Sequence, residues 1–450
     1  MSDLRITLEG IVIKNDDALP DNESKYFCAH RLTLDDEYRQ PCAYLLMQIH
    51  KPVLSSRLII DMNGSSTAAF AIWVDDKLKH LLSFLPIKFK NTADLRTIFL
   101  KAAPLSRTER IATFNIVKFY PNIRTKPAIK IIAWWLKRVG HLLPDDFPPH
   151  QMLLDIIELI MNNNIFSFDD THWLQKEGTA MGTNPATTYA ELYFGYHEIT
   201  VLMVKYSSEL GICKRYVDDG ILTWDNPTAC NDHDWYSDPH WQGFLKDLAF
   251  EGLTFTNTNP SRTADIMDVM ITLSFGFPIF KIFEKPQALH LYIPPSSAHP
   301  PACVKGLVYG MLIRYWRLNT LVEDYQAYTQ RFFRRMISRG HNPTSLHTMF
   351  LAAAEHIQLK FSENSPILHA GKPTDETTLK FVWPYHPRGV QASSIQKLFE
   401  RRLKGNTGYD RMIVAYKRPK NLLMRNHCQG EPGKTASLLF DQWKDDNSPS

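Results

Sequence analysis

The sequence predicts an α+β protein that is built from several subdomains. Its 450 residues are more than one small core can organise, so two to four subdomains are expected. Short segments with the β-branched and aromatic content of strands occur from residue 43 to about 273, whereas residues 305–360 have helical periodicity throughout. These patterns favour a mixed fold of sheets and helices.

Individual segments support this prediction. Residues 43–50 and 56–63 are predicted strands, and 111–120 has the composition of a buried strand. Thr125 is predicted to cap a helix over 126–139, in which apolar residues recur at helical spacing. A second helix is marked by Met152, Ile156, Ile157 and Ile160.

Composition limits the class of protein. Hydrophobic residues make up 44% and charged residues 22%, which is ordinary for a globular chain. No apolar run reaches the roughly 20 residues of a membrane span, and the N-terminus lacks the pattern of a signal peptide. The cysteines are scattered without metal-binding spacing, and they are Cys28, Cys42, Cys213, Cys230, Cys303 and Cys428. This usage suits a reducing compartment, and we expect an intracellular protein.

The net charge of +4 is distributed unevenly along the chain. Basic residues outnumber acidic ones in 305–340 and again in 397–425, and aromatic residues are interleaved with the first of these stretches. A basic surface with aromatic residues suits a polyphosphate backbone. A solvated helix face over an ordinary aromatic core is the alternative interpretation.

The segment RYVDDGILTW predicts a β-hairpin whose turn carries two adjacent carboxylates, Asp218 and Asp219. Such carboxylates repel each other unless positive charge lies beside them, and Mg²⁺ is the usual occupant of a site with oxygen ligands only. Two-metal phosphoryl transfer uses carboxylate clusters of this kind. Taken alone, Asp-Asp-Gly is more often a plain turn sequence.

Several further segments precede and follow this hairpin along residues 43–345, and the order in which they occur is informative. With YVDD of the hairpin included, they are KPVLSSRLIIDMNGSST, FNIVKFYPNI, GTAMGTNPATTYAELYF, YVDD, LTFTNTN with MDVMITL, FEKPQALHLYIPPSSAHPPACVKGLVYGMLIRYWRLNT, and RFFRRMISRGHNP. In this order the chain resembles the reverse transcriptases, and among them the Penelope-like retroelement class. The common order of the segments carries the resemblance more than any single motif does.

The resemblance implies a right-hand polymerase fold with fingers, a palm of antiparallel sheet packed on helices, and a helical thumb. It also implies RNA-directed DNA polymerase activity that extends a 3′-hydroxyl primer. The expected bounds are fingers 1–110, palm 111–280 with finger-side helices at 125–170, thumb 281–360 and a basic C-terminal extension 361–430. The polar composition of the last residues predicts a disordered tail at 431–450.

Nucleotide-binding roles follow from the same resemblance. Lys51 and Arg57 would hold the incoming triphosphate through charge-assisted contacts. Tyr120 would lie under the sugar and clash with a 2′-hydroxyl, which favours deoxynucleotides. Gly178 and Gly182 would let the backbone approach a nascent base pair closely. Exposed hairpin bases, a core tyrosine and a plain loop are the structural alternatives.

The resemblance further implies an RNA template, a DNA primer and deoxynucleoside triphosphates as partners, with two Mg²⁺ ions as cofactors and Mn²⁺ as a possible replacement. Lys285 would contact a phosphate of the primer strand, and a plain surface lysine is the alternative. Thumb residues that would contact phosphates are Arg314, Arg317, Arg334, Arg335 and Arg339.

One catalytic position departs from the family pattern. The first palm strand of the family carries an aspartate five residues before the aromatic position of Tyr120, and this chain has Asn115 there. An asparagine amide offers an oxygen to a metal ion but no negative charge. Loss of one of three carboxylates should cost roughly 3–5 kcal/mol of transition-state stabilisation, or about 10²- to 10⁴-fold in rate.

Two hypotheses therefore stand. In the first, Asn115, Asp218 and Asp219 are the catalytic and metal-binding residues of an impaired polymerase. In the second, the chain is a catalytically inactive polymerase fold that binds RNA or an RNA–DNA duplex. Many relatives carry a C-terminal GIY-YIG nuclease, but no such module is expected here, and family analogy places the protein in the nucleus. The sequence does not indicate an oligomeric state.

Overall fold

The computed structural model describes residues 2–29, 39–48, 55–227, 234–286, 288–300, 302–361, 378–384, 390–402, 404, 409 and 411–417. The chain divides into two compact units, Met1–Ala288 and Leu289–Ser450. Both helices and sheets are present, as the sequence predicts. Within the described ranges, no helix combines the length and apolar character that crossing a membrane requires.

The first unit contains ten described α-helices, two short 3-10 helices at Asp16–Ala18 and Gly140–Leu142, and eleven described strands. Its helices are α1 Ser2–Lys14, α2 Asp21–Ala29, α3 Ala68–Leu82, α4 Thr92–Ala102, α5 Phe119–Asn122, α6 Thr125–Val139, α7 His150–Asn162, α8 Ala186–His197, α9 Met203–Lys205 and α10 Pro239–Leu248. Its strands are β1 Cys42–Met47, β2 Ser56–Asp61, β3 Glu109–Val117, β4 Asn164–Phe168, β5 Thr171–Gln175, β6 Leu210–Tyr216, β7 Asp219–Asp225, β8 Thr254–Asn257, β9 Thr263–Ile266, β10 Val269–Ser274 and β11 Phe277–Ile282.

An antiparallel sheet with strand order β6-β7-β3-β8 lies at the centre of the first unit. Its strands are rich in β-branched and aromatic residues, which pack well on a pleated surface. Apolar residues on one face join a core shared with α3, α6, α7 and α8. Residues on the other face join a second core with α4 and the three-stranded sheet β11-β10-β9. The sheet is therefore covered on both faces.

Helix α8 is the most enclosed element of this core. Ten of its twelve residues are buried, as expected for a helix without a polar face. Trp135 of α6 donates its indole N–H to the Leu192 carbonyl at 3.0 Å, which satisfies a polar atom inside the apolar layer. A π-helical turn, Glu198–Leu202, continues α8 toward α9.

A peripheral four-stranded sheet has the order β2-β1-β4-β5. Strands β1 and β2 are antiparallel, and β1 meets β4 in parallel at Cys42 and Ser167. A small core of Ile60, Met62 and Phe166 anchors the sheet next to Ala180. In the sequence, β1 and β2 come before the central strands, and β4 and β5 come directly after α7.

The second unit is helical, with a small parallel sheet. Its elements are α11 Ala302–Leu318, α12 Val322–Ser338, α13 Pro343–Phe361, β12 Thr378–Pro384, α14 Ala392–Arg402 and β13 Arg411–Lys417. In α12, the residues Tyr328, Phe332 and Met336 recur every fourth position and are buried, which is the stripe of an amphipathic helix. The predicted tail at 431–450 and most of the predicted extension at 361–430 lie outside the described residues.

Two local predictions require correction. Residues 305–360 are not helical throughout, because the chain leaves the helix after Leu318 and again after Ser338. Thr125 does not cap α6 but is its first residue, and the flanking Arg124 makes no side-chain cap bond. Instead, the Thr125 backbone N–H donates to the Glu177 carboxylate at 3.2 Å. The Glu177 carboxylate, from a loop distant in sequence, therefore accepts a hydrogen bond at the N-terminus of α6, where the Thr125 hydroxyl was expected to do so.

Candidate active site

The central sheet presents Asn115 and Asp219 side by side on one face. Successive residues of a strand point to opposite faces, and Phe114 and Ile116 belong to the helix-side core. Asn115 instead shares the face of Ile111, which belongs to the core beside β9–β11. In the antiparallel register, Asn115 lies directly opposite Asp219. Cross-strand neighbours of this kind have side chains in contact range.

The turn between β6 and β7 holds Asp218 next to this pair. Val217 has a left-handed backbone with φ of +55°. The Ile116 N–H donates to the Asp218 carbonyl at 2.9 Å and ties the turn to β3. At Gly220, an added Cβ would lie 2.1 Å from the Phe114 ring. The glycine after the two aspartates is therefore required by the packing of β7 on β3.

A cavity of about 260 Å³ opens beside Asn115 and Asp219. Its lining continues through Asp265 and Lys285, which lie on or after the strands of the three-stranded sheet. Burial raises the pKa of the Asp219 carboxyl, and the Asp218 carboxylate raises it further, whereas the Lys285 ammonium lowers it. Lys285 is therefore within electrostatic reach of the carboxylate pair.

Asp218, Asp219 and Asn115 offer two carboxylates and one amide oxygen, and Asp265 adds a carboxylate elsewhere in the lining of the same cavity. Among the residues that the structure describes, no group of three His, Cys, Asp or Glu side chains is arranged to hold a metal ion. Asp218 and Asp219 supply two negative charges, which suits one divalent cation. Two cations held close together repel each other and need more negative charge. The residues therefore fit one ion and do not fit two.

Tyr120 lies just beyond the end of β3. Its hydroxyl is 3.1 Å from the Thr187 hydroxyl, and its ring stacks on Phe119 with 6.0 Å between centroids. Burial raises the pKa of the Tyr120 hydroxyl; the hydrogen bond with Thr187 lowers it, the Asp218 carboxylate raises it, and the Arg57 guanidinium lowers it. Tyr120 therefore lies close enough to Asp218 and Arg57 to interact electrostatically with both.

The two glycines that precede α8 contact the protein's own backbone. Gly178 has φ of +80°, and a Cβ there would lie 2.6 Å from the Tyr120 carbonyl oxygen. Gly182 has φ of +129°, and its Cβ would lie 1.9 Å from the Ile60 carbonyl oxygen. Backbone hydrogen bonds join the same segments, from Thr179 to Tyr120 and from Ile60 to Met181. Close packing inside the protein is enough to require glycine at both positions.

The remaining predicted residues lie outside the described residues or in the second unit. Lys51 lies outside the described residues. In the second unit, Arg314 and Arg317 are three residues apart on α11, and Arg334 and Arg335 are on α12. Residues three or four apart share a helix face. Arg339 follows α12, and its Nε donates to the Tyr292 carbonyl at 3.0 Å.

Sequence reasoning missed two buried charged residues behind the turn. Arg215 and Glu198 form an ion pair at 2.7 Å, with side chains only 2% and 1% exposed. Glu198 lies in the π-helical turn, whose position the sequence does not reveal. Arg215 is different, because a charged residue within the apolar strand sequence before Asp218 is a signal that could have identified it.

Comparison with known proteins identifies no family. No protein-family model matches the chain, and no curated protein matches it. Among solved structures, it is similar to Candida albicans telomerase in complex with a fragment of telomeric RNA (12% identity, TM-score 0.45, 74% of this chain and 58% of that one). It is also similar to apo telomerase from Candida tropicalis truncated from its C-terminal domain (12%, 0.38, 56% and 57%) and to the BmCPV RNA-dependent RNA polymerase at elongation state (11%, 0.43, 61% and 24%).

In each of these comparisons, the chain spans less than two thirds of the other protein's length. All three identities are below 25%, and all three TM-scores are below 0.5. The proposed function therefore rests on the residues of the site.

Proposed function

We propose that this chain is a reverse-transcriptase-like protein with a right-hand polymerase architecture, similar to Penelope-like retroelement polymerases. In this proposal, an RNA-directed DNA polymerase site is impaired by Asn115. The observation that carries it is the placement of Asn115 opposite Asp219, with Asp218 in the adjoining turn. A palm site needs its ligands on two neighbouring strands, and the resemblance implies these positions.

Each residue of the site has a chemical task in this proposal. Mg²⁺, when bound, supplies positive charge at the primer 3′-hydroxyl and at the leaving pyrophosphate. Asp218 and Asp219 would hold the ion, and Asn115 would add an amide oxygen. Arg57 neutralises the triphosphate. Tyr120 occupies the space below the sugar and selects against a 2′-hydroxyl.

The loss of one carboxylate sets the expected rate. The family uses two Mg²⁺ ions, and the two carboxylates of this chain fit one. Binding of the second ion therefore suffers most, and the cost in rate is about 10²- to 10⁴-fold. Mn²⁺ should restore part of the activity because it accepts neutral oxygen and nitrogen ligands more readily.

Primer extension on an RNA template tests this function. The wild-type protein should extend a DNA primer weakly or not at all with Mg²⁺, and Asn115→Asp should raise the rate by about 10²-fold or more. Adding Asp218→Ala to that variant should abolish extension again. Equal rates for the wild type and Asn115→Asp would contradict the proposal, because Asn115 would then not replace a catalytic carboxylate.

A second candidate function is nucleic-acid binding without catalysis. Two observations favour it: an amide stands opposite Asp219, and the Lys285 ammonium is within electrostatic reach of Asp219. A cation already beside the carboxylate weakens the attraction for a metal ion. In this case, Asn115→Asp would remain inactive while the wild-type protein still bound an RNA–DNA duplex.

The proposed partners are an RNA template, a DNA primer and deoxynucleoside triphosphates. Lys285 contacts the primer strand in this proposal, and the bases of α11 and α12 contact phosphates. The proposed location is the nucleus, where a retroelement polymerase meets chromosomal 3′ ends. Fluorescence microscopy of the tagged chain tests the location, and exclusion from the nucleus would contradict it.

A further inference from the structure

Arg215, three residues before Asp218, is buried and makes directed contacts through all three guanidinium nitrogens. Its Nε donates to one Glu198 carboxylate oxygen at 2.8 Å, and one terminal nitrogen, Nη2, donates to the other at 2.7 Å. Nη2 also donates to the Glu191 carbonyl at 3.2 Å. The other terminal nitrogen, Nη1, donates to the Val217 carbonyl at 2.6 Å. The guanidinium therefore links α8 and its π-helical continuation to the turn that carries Asp218.

The residue that receives this contact has an unfavourable backbone conformation. Val217 has φ of +55°, and a β-branched side chain is a clear outlier in the left-handed region. Such a conformation persists only where surrounding contacts impose it. Two successive carbonyls of the turn are held, that of Val217 by Arg215 and that of Asp218 by the Ile116 N–H.

Glu198 fixes the orientation of the guanidinium. A bidentate arginine–carboxylate pair is strong and directional, and here both partners are removed from water. Glu198 is the first residue of the π-helical turn, a local irregularity that is frequent at functional sites. The Arg215 guanidinium also lies 5.3 Å from the centre of the Phe194 ring. Because Glu198 and Phe194 fix the guanidinium, Nη1 is the nitrogen that remains to donate to the turn.

We propose that Arg215, oriented by Glu198, is a positioning residue that holds Val217 in its left-handed conformation and so places the Asp218 carboxylate beside Asp219 and Asn115. This inference rests on the proposed function of the site, because it assigns catalytic value to the position of Asp218. It predicts that the buried pair contributes to rate and metal binding beyond its contribution to folding.

The test uses the full chain in the Asn115→Asp background, where the proposed function predicts measurable extension. Arg215→Met with Glu198→Leu removes both charges, since an apolar pair of similar volume keeps a core folded where a single unpaired charge would not. The matched control is Lys77→Met with Glu23→Leu, another ion pair with little exposure, between α3 and α2. Among the residues that the structure describes, neither Lys77 nor Glu23 contacts the turn that carries Asp218.

A third variant separates positioning from folding. Adding Val217→Gly to the apolar pair supplies a residue that adopts positive φ without steric cost. We expect the apolar pair to lower kcat by about 10²-fold while the KM for nucleotide changes little, because a displacement of about 1 Å in a catalytic group has that effect. Val217→Gly should then restore kcat by about 10-fold, and the control pair should leave kcat unchanged.

Two outcomes overturn the inference. One is an unchanged kcat in the apolar pair. The other is a loss that the control pair reproduces and that Val217→Gly does not relieve, which would show a structural role only. If the Asn115→Asp protein itself extends no primer, the proposed function fails, and two readouts that need no activity still decide the inference.

The first of these readouts is a crystal structure of the apolar pair in the wild-type background. Return of Val217 to negative φ supports the inference, and a φ that stays near +55° overturns it. The second is Mn²⁺ affinity, measured by the electron paramagnetic resonance signal of free Mn²⁺. A fall of about 10-fold that Val217→Gly reverses supports the inference, and an unchanged affinity overturns it.

Discussion

Replacing Gly182 with alanine would test how the loop before α8 is seated on β2. Gly182 has φ of +129°, and an added Cβ would lie 1.9 Å from the Ile60 carbonyl oxygen. The neighbouring Met181 carbonyl accepts the Ile60 N–H at 2.8 Å. The backbone fixes the position of the Cβ, and the oxygen is itself a backbone atom, so rotation of a side chain cannot relieve the clash. The loop has to move away from β2.

The magnitude follows from two costs. A non-glycine residue held in a disfavoured backbone conformation costs about 1–3 kcal/mol. Moving the loop breaks the hydrogen bond of the buried Ile60 N–H, which costs about 1–3 kcal/mol if the donor is left without a partner. We therefore expect the free energy of unfolding of the first unit to fall by about 2–6 kcal/mol.

Urea denaturation followed by tryptophan fluorescence measures this change. Gly10→Ala in α1 is the control, because a Cβ there would meet nothing within 4 Å. It should raise the free energy of unfolding by about 0.5–1 kcal/mol, as alanine does within a helix. A loss below about 1 kcal/mol in Gly182→Ala would refute the reasoning. Unchanged stability with weaker nucleotide binding would instead favour the role of admitting a nascent base pair.

Two further predictions concern nucleic acid and sugar selection. Affinity for a primer–template duplex should fall steeply with salt. The slope of log affinity against log salt should flatten by up to about 3 when three arginines on and just after α12 are changed to alanine, because each lost phosphate contact removes about 0.9 from that slope. The bases are Arg334, Arg335 and Arg339. A slope that is unchanged in the triple variant would show that these bases are solvated surface. In the Asn115→Asp background, Tyr120→Val should increase ribonucleotide incorporation by about 10-fold, whereas Tyr120→Phe should not, since the ring is the proposed barrier. Equal incorporation by both variants would remove Tyr120 from that role.

Local sequence signals predicted much of the fold. The apolar runs on both sides of Asp218-Asp219-Gly220 predicted the β6–β7 hairpin, and helical spacing of apolar residues predicted α6 and α7. These elements are determined by side-chain periodicity within one segment. The two breaks in 305–360 were missed because the apolar spacing on either side of each break remains helical.

Contacts between distant segments could not be predicted in this way. The register that sets Asn115 opposite Asp219 depends on how two strands pair, and no pattern within either strand specifies it. Glu198 comes into contact with Arg215 through a π-helical turn that has no sequence signature. The role of Gly182 depends on Ile60, more than a hundred residues away, so the sequence alone suggested a contact with a ligand instead.

The number of divalent ions at the site tests the central claim most directly. Mn²⁺ binding would be counted by electron paramagnetic resonance in a complex of the chain with an RNA template, a dideoxy-terminated DNA primer and the next deoxynucleotide. We predict one tightly bound ion in the wild type and two in Asn115→Asp. The added carboxylate supplies a third negative charge beside Asp218 and Asp219, which the second ion requires. An equal number in both proteins would contradict the account, because Asn115 would then not stand where a metal-binding carboxylate is missing.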